Sequence, residues 1–504
     1  MKTHFISVAN NQIFSFRNIR IDLFGLLLLF TCLHLSAQKK PNVIYILTDQ
    51  WRSTAFGYAG NSQVKTPEID KFSKEAVIFR NCVSVCPKCT PYRAALMTGR
   101  YPTSTGMFMN DLYLPEREVC MAEIFKKAGY STAYYGKWHL DGHGRFNNVE
   151  PERRQGFDYW KASECSHSYN KMLYYENNDP NVKYWSRYSP FAMEEDVEKY
   201  LEQVSKDKSP FLLFVAFATP HFSKDQAPEQ YQEMYPKSEL QLRKNVIEGK
   251  FPNLRQELQH YYAHCTATDK AIGDLIGKIK ALGLFNNSII IFTSDHGEMM
   301  GSHGIRPRKK QLAWDEAAKV PFLIRYPGIG ENAGKETLTP INTPDILPTM
   351  LSLADIGIPG SIEGKDISSV VKNPEKQIDR AVIFMSIYPV AITHFSEYRA
   401  IKTKRYTYVK TAEKAIMLFD NLLDPYEMNN LINKPESKKL QIKMNALLQK
   451  KLKSIGDANF KTYQYYLHKF GFDDLSKDGR EVPYSEDPNK NVKVYTPRIN
   501  EGCL

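Results

Sequence analysis

Asn42-Val43-Ile44-Tyr45-Ile46-Leu47-Thr48-Asp49-Gln50 is an unbroken apolar, β-prone run that stops abruptly at a carboxylate and an amide. A strand with one wet face would alternate apolar and polar residues; one that is apolar throughout belongs in the middle of a parallel sheet covered on both sides. Open α/β sheets place their sites at the carboxyl ends of such strands. Asp49 and Gln50 are therefore the first candidate functional residues. Outward from this stretch, strand-like runs at 131–135, 211–217, 288–293 and 321–325 alternate with helical stretches at 193–205 and 254–282. The alternation predicts an α/β fold with a large, doubly wound, mostly parallel sheet. Two of these strands also end in polar clusters, Thr219-Pro220-His221 and Ser294-Asp295-His296.

After Asn373-Pro374 the pattern changes to short strands at 381–385, 398–402 and 406–410, followed by a Lys-rich helix near 440–452. This predicts a smaller C-terminal α+β domain with an antiparallel sheet. The expected division is a catalytic domain at 38–374 and a C-terminal subdomain at 375–504, whose tail from residue 473 wraps the surface. A chain of 504 residues has room for both, at roughly 100–200 residues per domain. Its 42% hydrophobic and 24% charged content is that of a globular protein, not a disordered one.

Lys2, Arg17 and Arg20 precede the apolar run 23–35, which ends in Leu35-Ser36-Ala37. Basic residues, a short apolar core and small residues in that order read as a secretory signal peptide, 1–37. The run falls short of the ~20 residues of a membrane helix, so the expectation is a periplasmic or secreted protein without a stable membrane anchor. Removing Lys2, Arg17, Arg20 and Asp22 lowers the net charge of +11 by 2, to about +9. That balance suits an anionic partner, and no nucleic-acid motif accompanies it. Cys32 leaves with the signal. Cys82, Cys86, Cys120, Cys165, Cys265 and Cys503 are expected mostly as buried, inert thiols, their spacing fixing no disulfide pairing.

The remaining signal is Cys89-Thr90-Pro91-Tyr92-Arg93, continued through Thr98-Gly99-Arg100. Cys82, Cys86 and Cys89 lack the second Cys/His pair that a zinc knuckle needs. The stretch resembles the signature of type I sulfatases, the formylglycine-dependent members of the alkaline phosphatase superfamily. The resemblance implies that Cys89 is oxidised before folding to formylglycine (3-oxoalanine) by a formylglycine-generating or sulfatase-maturating enzyme, which reads Cys89, Pro91 and Arg93. Gly129 to His139 resembles the second signature of that family, implying that Lys137 binds the aldehyde hydrate and the sulfate and that His139 is a base. Thr48-Asp49-Gln50 and Ser294-Asp295-His296-Gly297-Glu298 are similar to its metal-binding segments. They imply a Ca²⁺ site, with Mg²⁺ as the alternative, made by Asp49, Gln50, Asp295, His296 and residue 89. Gln50 departs from the Asp of many relatives, leaving the site one carboxylate poorer. His221 and Lys310 match the residues that bind sulfate and protonate the leaving oxygen; Lys309 takes the second role if the alignment shifts by one.

These residue types suit one chemistry. A sulfate ester is a monoanion, so a cation together with Arg93, Lys137 and Lys310 holds it and stabilises charge developing in displacement. One hydroxyl of the hydrated aldehyde, its proton affinity lowered by the metal and Arg93, is the implied nucleophile. The resemblance thus implies a sulfatase acting on a sulfated carbohydrate: an algal polysaccharide such as ulvan or carrageenan, or a glycosaminoglycan. A phosphonate monoester hydrolase or phosphodiesterase of the same superfamily is the nearest alternative. A catalytically inactive binder of sulfated glycans is another, against which the intact residue set speaks. Asn110, within Met107-Phe108-Met109-Asn110-Asp111, is a candidate substrate selector. His303 reads as a structural or rim residue, Arg306 and Arg308 as cleft or solvent-facing, and Trp160, Tyr184, Trp185 and Arg187 as either glycan contacts or packing.

Overall fold

The strand Asn42–Asp49 is buried at all eight positions and lies inside a ten-stranded sheet. The structure is a computed structural model that describes residues 39–499 apart from 208, 222–224, 390–396, 476–481, 483–484 and 488–489. The expected signal peptide and Cys503 lie outside the described residues. From Pro41 on, the chain forms one unit. Asn42–Asp49 pairs in parallel with Phe211–Pro220 on one side and Ser288–Ser294 on the other. Ser131–Lys137 and then Tyr159–Ser163 continue the parallel run beyond Phe211–Pro220. Register sets Thr48 beside Ser294 and Asp49 beside Pro220, so these strands end at one edge.

Both faces are covered, as a strand apolar throughout requires. Val43, Tyr45 and Leu47 point into a core shared with the helices Cys89–Thr98, Met121–Lys127 and Thr343–Leu353. Ile44 and Ile46 point into the other, shared with Ser189–Val204 and the 28-residue helix Leu254–Ala281. Antiparallel pairings flank the parallel run: Phe322–Arg325 against Ser288–Ser294 on one side, and the hairpin Met172–Glu176 with Asp179–Trp185 on the other.

A second sheet orders Val382–Ser386, Tyr398–Lys402, Tyr406–Lys410 and Ala415–Asp420 as an antiparallel meander, backed by Lys438–Ser454. The first apolar core runs on into Ile383, Ile401, Leu418 and Leu448. The C-terminal segment lies back on the large sheet's loops: Tyr113 N donates to Tyr495 O at 2.9 Å, and Arg145 N to Ser485 O at 2.9 Å. Trp160 and Trp185 are core residues, Arg187 pairs with Glu195, and of the four aromatic and basic candidates only Tyr184 and Arg187 are exposed. None of the four lines the cavity described next. Among the described residues, no helix is long and apolar enough to cross a membrane.

Candidate functional site

Strand ends and one helix start build the site. Cys89 opens the helix Cys89–Thr98, all ten residues of which are buried and which Gly99 closes in the left-handed conformation, φ 65°. Arg93 lies one turn on, on the same helix face. Its Nη2 sits 3.3 Å from Asp49 Oδ2 and 3.3 Å from Asp295 Oδ2, bridging the two buried carboxylates, while Nη1 donates to Lys137 O at 2.6 Å. Lys137 arrives at the end of its strand through Gly136, φ 93°, where a Cβ would lie 2.1 Å from Ala216 O. A side chain there would push the strand away from its neighbour. Lys137 Nζ then donates to Asp49 Oδ2 at 2.6 Å and stands 3.7 Å from Cys89 Sγ.

Asp49, Cys89, Asp295 and His296 place one ligand atom each within 4.8 Å of one another, all buried. Burial and the neighbouring Asp49 push Asp295 up to about 6. Asp49 has the same burial and also the Cys89 sulfur against it, yet Lys137, His221 and Lys310 hold it well below the usual carboxylate range. His296 Nδ1 lies 3.0 Å from Gly297 O, a group that can only accept, so this nitrogen carries a proton and Nε2 is the atom turned toward the site. That Nε2 is 3.4 Å from Cys89 Sγ and 3.4 Å from Asp295 Oδ1. Gln50 adopts φ 64°, a left-handed conformation that non-glycine residues reserve for strained, functional places. Its amide orientation is set from behind: Nε2 donates to Glu298, turning Oε1 toward the site, where Lys310 Nζ reaches it at 3.2 Å. Two carboxylates, an amide oxygen and one imidazole make an oxygen-dominated donor set, which fits a hard divalent cation.

Opposite these groups, Lys310 Nζ donates to His221 Nε2 at 2.6 Å and stands 3.3 Å from Cys89 Sγ. Burial first, and Lys310 second, hold His221 well below the usual histidine range, so its ring is the neutral acceptor. Lys309 points its main chain elsewhere, its O accepting from Met299 N at 3.0 Å, and the geometry gives the paired position to Lys310. His139, φ 59°, donates Nε2–H to Asp111 Oδ1 at 3.2 Å. Asp111 is in turn held by both Nε and Nη2 of Arg145 at 2.8 Å. Burial alone would lower the His139 pKa; Cys165, Asp111 and Cys89 raise it well above the ordinary value. Asn110 reaches the cavity wall and also accepts from Thr90 N at 3.2 Å, at the start of the Cys89 helix.

The cavity over these groups measures about 310 Å³ and is lined by Lys88, Lys137, Arg145, Arg308, Lys309 and Lys310 among others. Such a mouth suits a polyanion. All eleven candidate residues converge on it or on the donor set beneath it. Sequence reasoning missed Asp111, Arg145 and Glu298, which act through other side chains, and Cys165 and Glu486, which line the cavity. Asp111 stood beside Asn110 in a stretch already singled out and Glu298 within a quoted motif; Glu486 carried no signal. Among the described residues all six cysteines are free, and burial pushes the Cys82, Cys86, Cys120 and Cys265 thiols up, as expected of inert ones. Cys165 departs from that pattern: burial would raise it, but Lys137, His139 and His167 lower it well below the usual thiol range. His303 lies apart, stacked on Trp314 at 4.6 Å.

Comparison with known proteins gives the chemistry a family. The profile of the sulfatase family matches residues 41–356, and that of the N-sulphoglucosamine sulphohydrolase C-terminal region matches residues 301–454. An ulvan-active sulfatase of Formosa agariphila is 55% identical over 459 residues, 91% of this chain and 89% of that protein. An endo-4-O-sulfatase of Bacteroides thetaiotaomicron is 30% identical over 453 residues, 78% of this chain and 88% of that protein. Among solved structures, a Bacteroides fragilis protein described as a sulfatase superposes with TM-score 0.77 at 28% identity, covering 86% of this chain and 98% of that one. The chain belongs to the sulfatase family and is a sulfuric ester hydrolase.

Proposed function

We propose that this sulfatase removes sulfate from a sulfated polysaccharide of the ulvan class, outside the cytoplasm, after Cys89 has been converted to formylglycine by a maturating enzyme. The observation that carries the substrate class is the 55% identity to the ulvan-active sulfatase across 91% of this chain. The cationic lining of the catalytic cavity supports it.

The donor set described above fits a calcium ion, held by Asp49, Gln50, Asp295, His296 and an oxygen of the modified residue 89; magnesium would need stricter octahedral geometry. When present, the aldehyde hydrate and the cation supply the nucleophile and neutralise its charge. The chain's own side chains do the rest. Arg93 holds Asp49 and Asp295 in place. Lys137 and Lys310 approach Cys89 Sγ from two directions, at 3.7 and 3.3 Å, and so bracket the position where sulfate oxygens gather charge. The Lys310–His221 pair presents a proton to the leaving sugar oxygen. Asp111 and Arg145 orient His139 through its Nε2, and the other ring nitrogen exchanges a proton on the residue 89 side, acting as base in the neutral form of the ring. Asn110 lines the cavity for the substrate while capping the helix that carries residue 89.

The test is sulfate release from ulvan, carrageenan and glycosaminoglycan oligosaccharides by protein co-expressed with a formylglycine-generating enzyme, with Cys89→Ala as control and mass spectrometry of the residue 89 peptide. Release from ulvan oligosaccharides that requires the aldehyde is expected. Preference for carrageenan or glycosaminoglycan fragments would overturn the substrate class. Faster turnover of phosphate diesters or phosphonate monoesters by fully modified protein would overturn the proposal itself.

A further inference from the structure

Beside the catalytic cavity lies a second one, of about 420 Å³, lined by Phe251, Pro252, Leu254, Glu257, Arg306, Pro307, Arg308 and Lys309 among others. Arg308 and Lys309 belong to both linings. The two cavities are therefore separated by one basic ridge, not by a wall of core. Its volume lies within the range of small-molecule sites, roughly 300–1,000 Å³, and leaves room for one pyranose.

The ridge is built rigidly. Arg308, φ 65°, donates its backbone N–H to Glu298 Oε1 at 2.9 Å, on the same buried carboxylate that orients Gln50. Its guanidinium lies on Glu257 of the long helix, with Nη2 at 2.8 and 2.9 Å from the two oxygens. Lys309 is tied through its carbonyl to Met299 N at 3.0 Å. Glu257 thus offsets Arg308, while Arg306 is exposed and Lys309 partly so: three cations face one carboxylate in this lining. Phe251, Pro252, Leu254 and Pro307 supply the apolar part of the same lining. An apolar lining with an excess of positive charge matches a sugar ring that presents a hydrophobic face and carries an anionic substituent at its edge.

We propose that this cavity binds the sugar next to the one whose sulfate is removed, and that it selects an anionic sugar there, with its carboxylate or sulfate held by Arg306 and the ridge and its ring on Phe251. This rests on the sulfatase reading of the adjoining cavity. Specificity then resides in two places: the catalytic cavity takes the sulfate ester, and the ridge reads the charge of its neighbour.

The experiment uses the modified full-length protein, Arg306→Ala, Phe251→Ala and the double variant. Each is tested on three substrates: a sulfated monosaccharide, a sulfated oligosaccharide with a uronate beside the sulfated sugar, and the same oligosaccharide with its carboxyl groups reduced. Arg306→Ala should lower kcat/KM for the uronate oligosaccharide about fivefold, as expected for one solvent-facing ion pair. Phe251→Ala should lower it about tenfold. Both losses should appear mainly in KM, with the monosaccharide unaffected. Carboxyl reduction should cost the wild type as much as Arg306→Ala does and make that substitution silent. A further pair of oligosaccharides, with and without a second sulfate on the neighbour, separates the two anions: if reduction is harmless but loss of that sulfate is costly, the recognised anion is sulfate. Equal effects on all three substrates, or none on any, would overturn the proposal. Binding of the uronate oligosaccharide to Cys89→Ala, with and without Arg306→Ala, is measured by calorimetry as well. A fivefold affinity loss would uphold the subsite even if no sulfate were released, whereas unchanged affinity would reject it.

Discussion

Substituting Glu298→Gln tests whether the neutral Gln50 amide serves in the proposed cation site. Glu298 is buried; Oε1 accepts from Met300 N and Arg308 N, each at 2.9 Å, and Oε2 accepts from Gln50 Nε2. The substituted amide keeps one oxygen for the two backbone donors and turns its NH₂ toward the NH₂ of Gln50. Two buried donors face to face leave one unsatisfied, at about 1–3 kcal/mol. The Gln50 amide relieves this by turning over, since its oxygen and nitrogen ends have nearly the same shape. The site then receives an NH₂ where it had Oε1. Loss of an orienting partner behind a metal ligand costs about 10–100-fold in metal affinity, or roughly 1.4–2.7 kcal/mol. The assay is calcium titration calorimetry on chelator-stripped protein, with thermal unfolding of the stripped form alongside. The double substitution Glu298→Gln with Gln50→Glu should recover the affinity, because a carboxylate at position 50 accepts from the new amide and still offers oxygen to the cation. Calcium affinity within twofold of wild type in Glu298→Gln would refute the reasoning; a lower Tm with unchanged affinity would mean that Glu298 only supports the Met300 and Arg308 backbone.

Asp111→Asn weakens the charged hydrogen bonds to Arg145 and His139, each worth about 1.5–3 kcal/mol, so kcat should fall at least tenfold with KM little changed; an unchanged kcat in steady-state assays would remove Asp111 from the positioning of His139. Chelation would leave Asp49 and Asp295 of the proposed site without a cation, so Tm should drop on chelation and recover with calcium, a ligand at 100 times its Kd adding about 2.7 kcal/mol; a Tm insensitive to chelator would contradict the site. Burial first, then Asp315, push Glu427 up to about 8 from an ordinary 4.5, with Lys402 pulling the other way. The fold thus binds this proton more tightly than the unfolded chain, and its contribution is complete below pH 4.5 and lost as pH rises to about 8. Urea unfolding at several pH values should show that decline, of order a few kcal/mol, and Glu427→Gln should flatten it; an identical slope in the variant would assign the decline to other groups.

What could be read from the chain followed from how many neighbours a residue needed. Asn42–Asp49 shows its central place because both of its faces are apolar, and the paired strands Phe211–Pro220 and Ser288–Ser294 repeat that pattern. Asp179–Trp185 was not read as a strand, since most of its side chains are exposed or half-exposed and its hairpin partner, not a core, holds it. Val77–Phe79 and Cys82–Val83 are too short for any period to register. In the site, Asp49, Asp295 and His296 stand out because they interrupt apolar strands at their ends. Asp111, Arg145 and Glu298 serve other side chains, and nothing local distinguishes such a carboxylate or guanidinium from one facing water. Glu486 comes from the far end of the chain and joins the cavity only through the path of the C-terminal segment, which no spacing encodes.

The complete burial of the helix that begins at Cys89 sets a clock. Its ten side chains are covered by core that includes strands made much later, Phe211–Pro220 and Ser288–Ser294. At about 5–20 residues per second, a ribosome needs roughly 10–40 s to advance the ~200 residues from Cys89 to Ser294. During that interval the segment has no sheet to sink into and lies open to any enzyme that oxidises the thiol. Once the sheet closes, the thiol is 1% exposed and is reached only through the catalytic cavity. On the proposed conversion of Cys89, the yield of active protein is decided by a race between modification and folding, so that faster synthesis or a scarce modifying enzyme leaves folded molecules that carry an unmodified thiol.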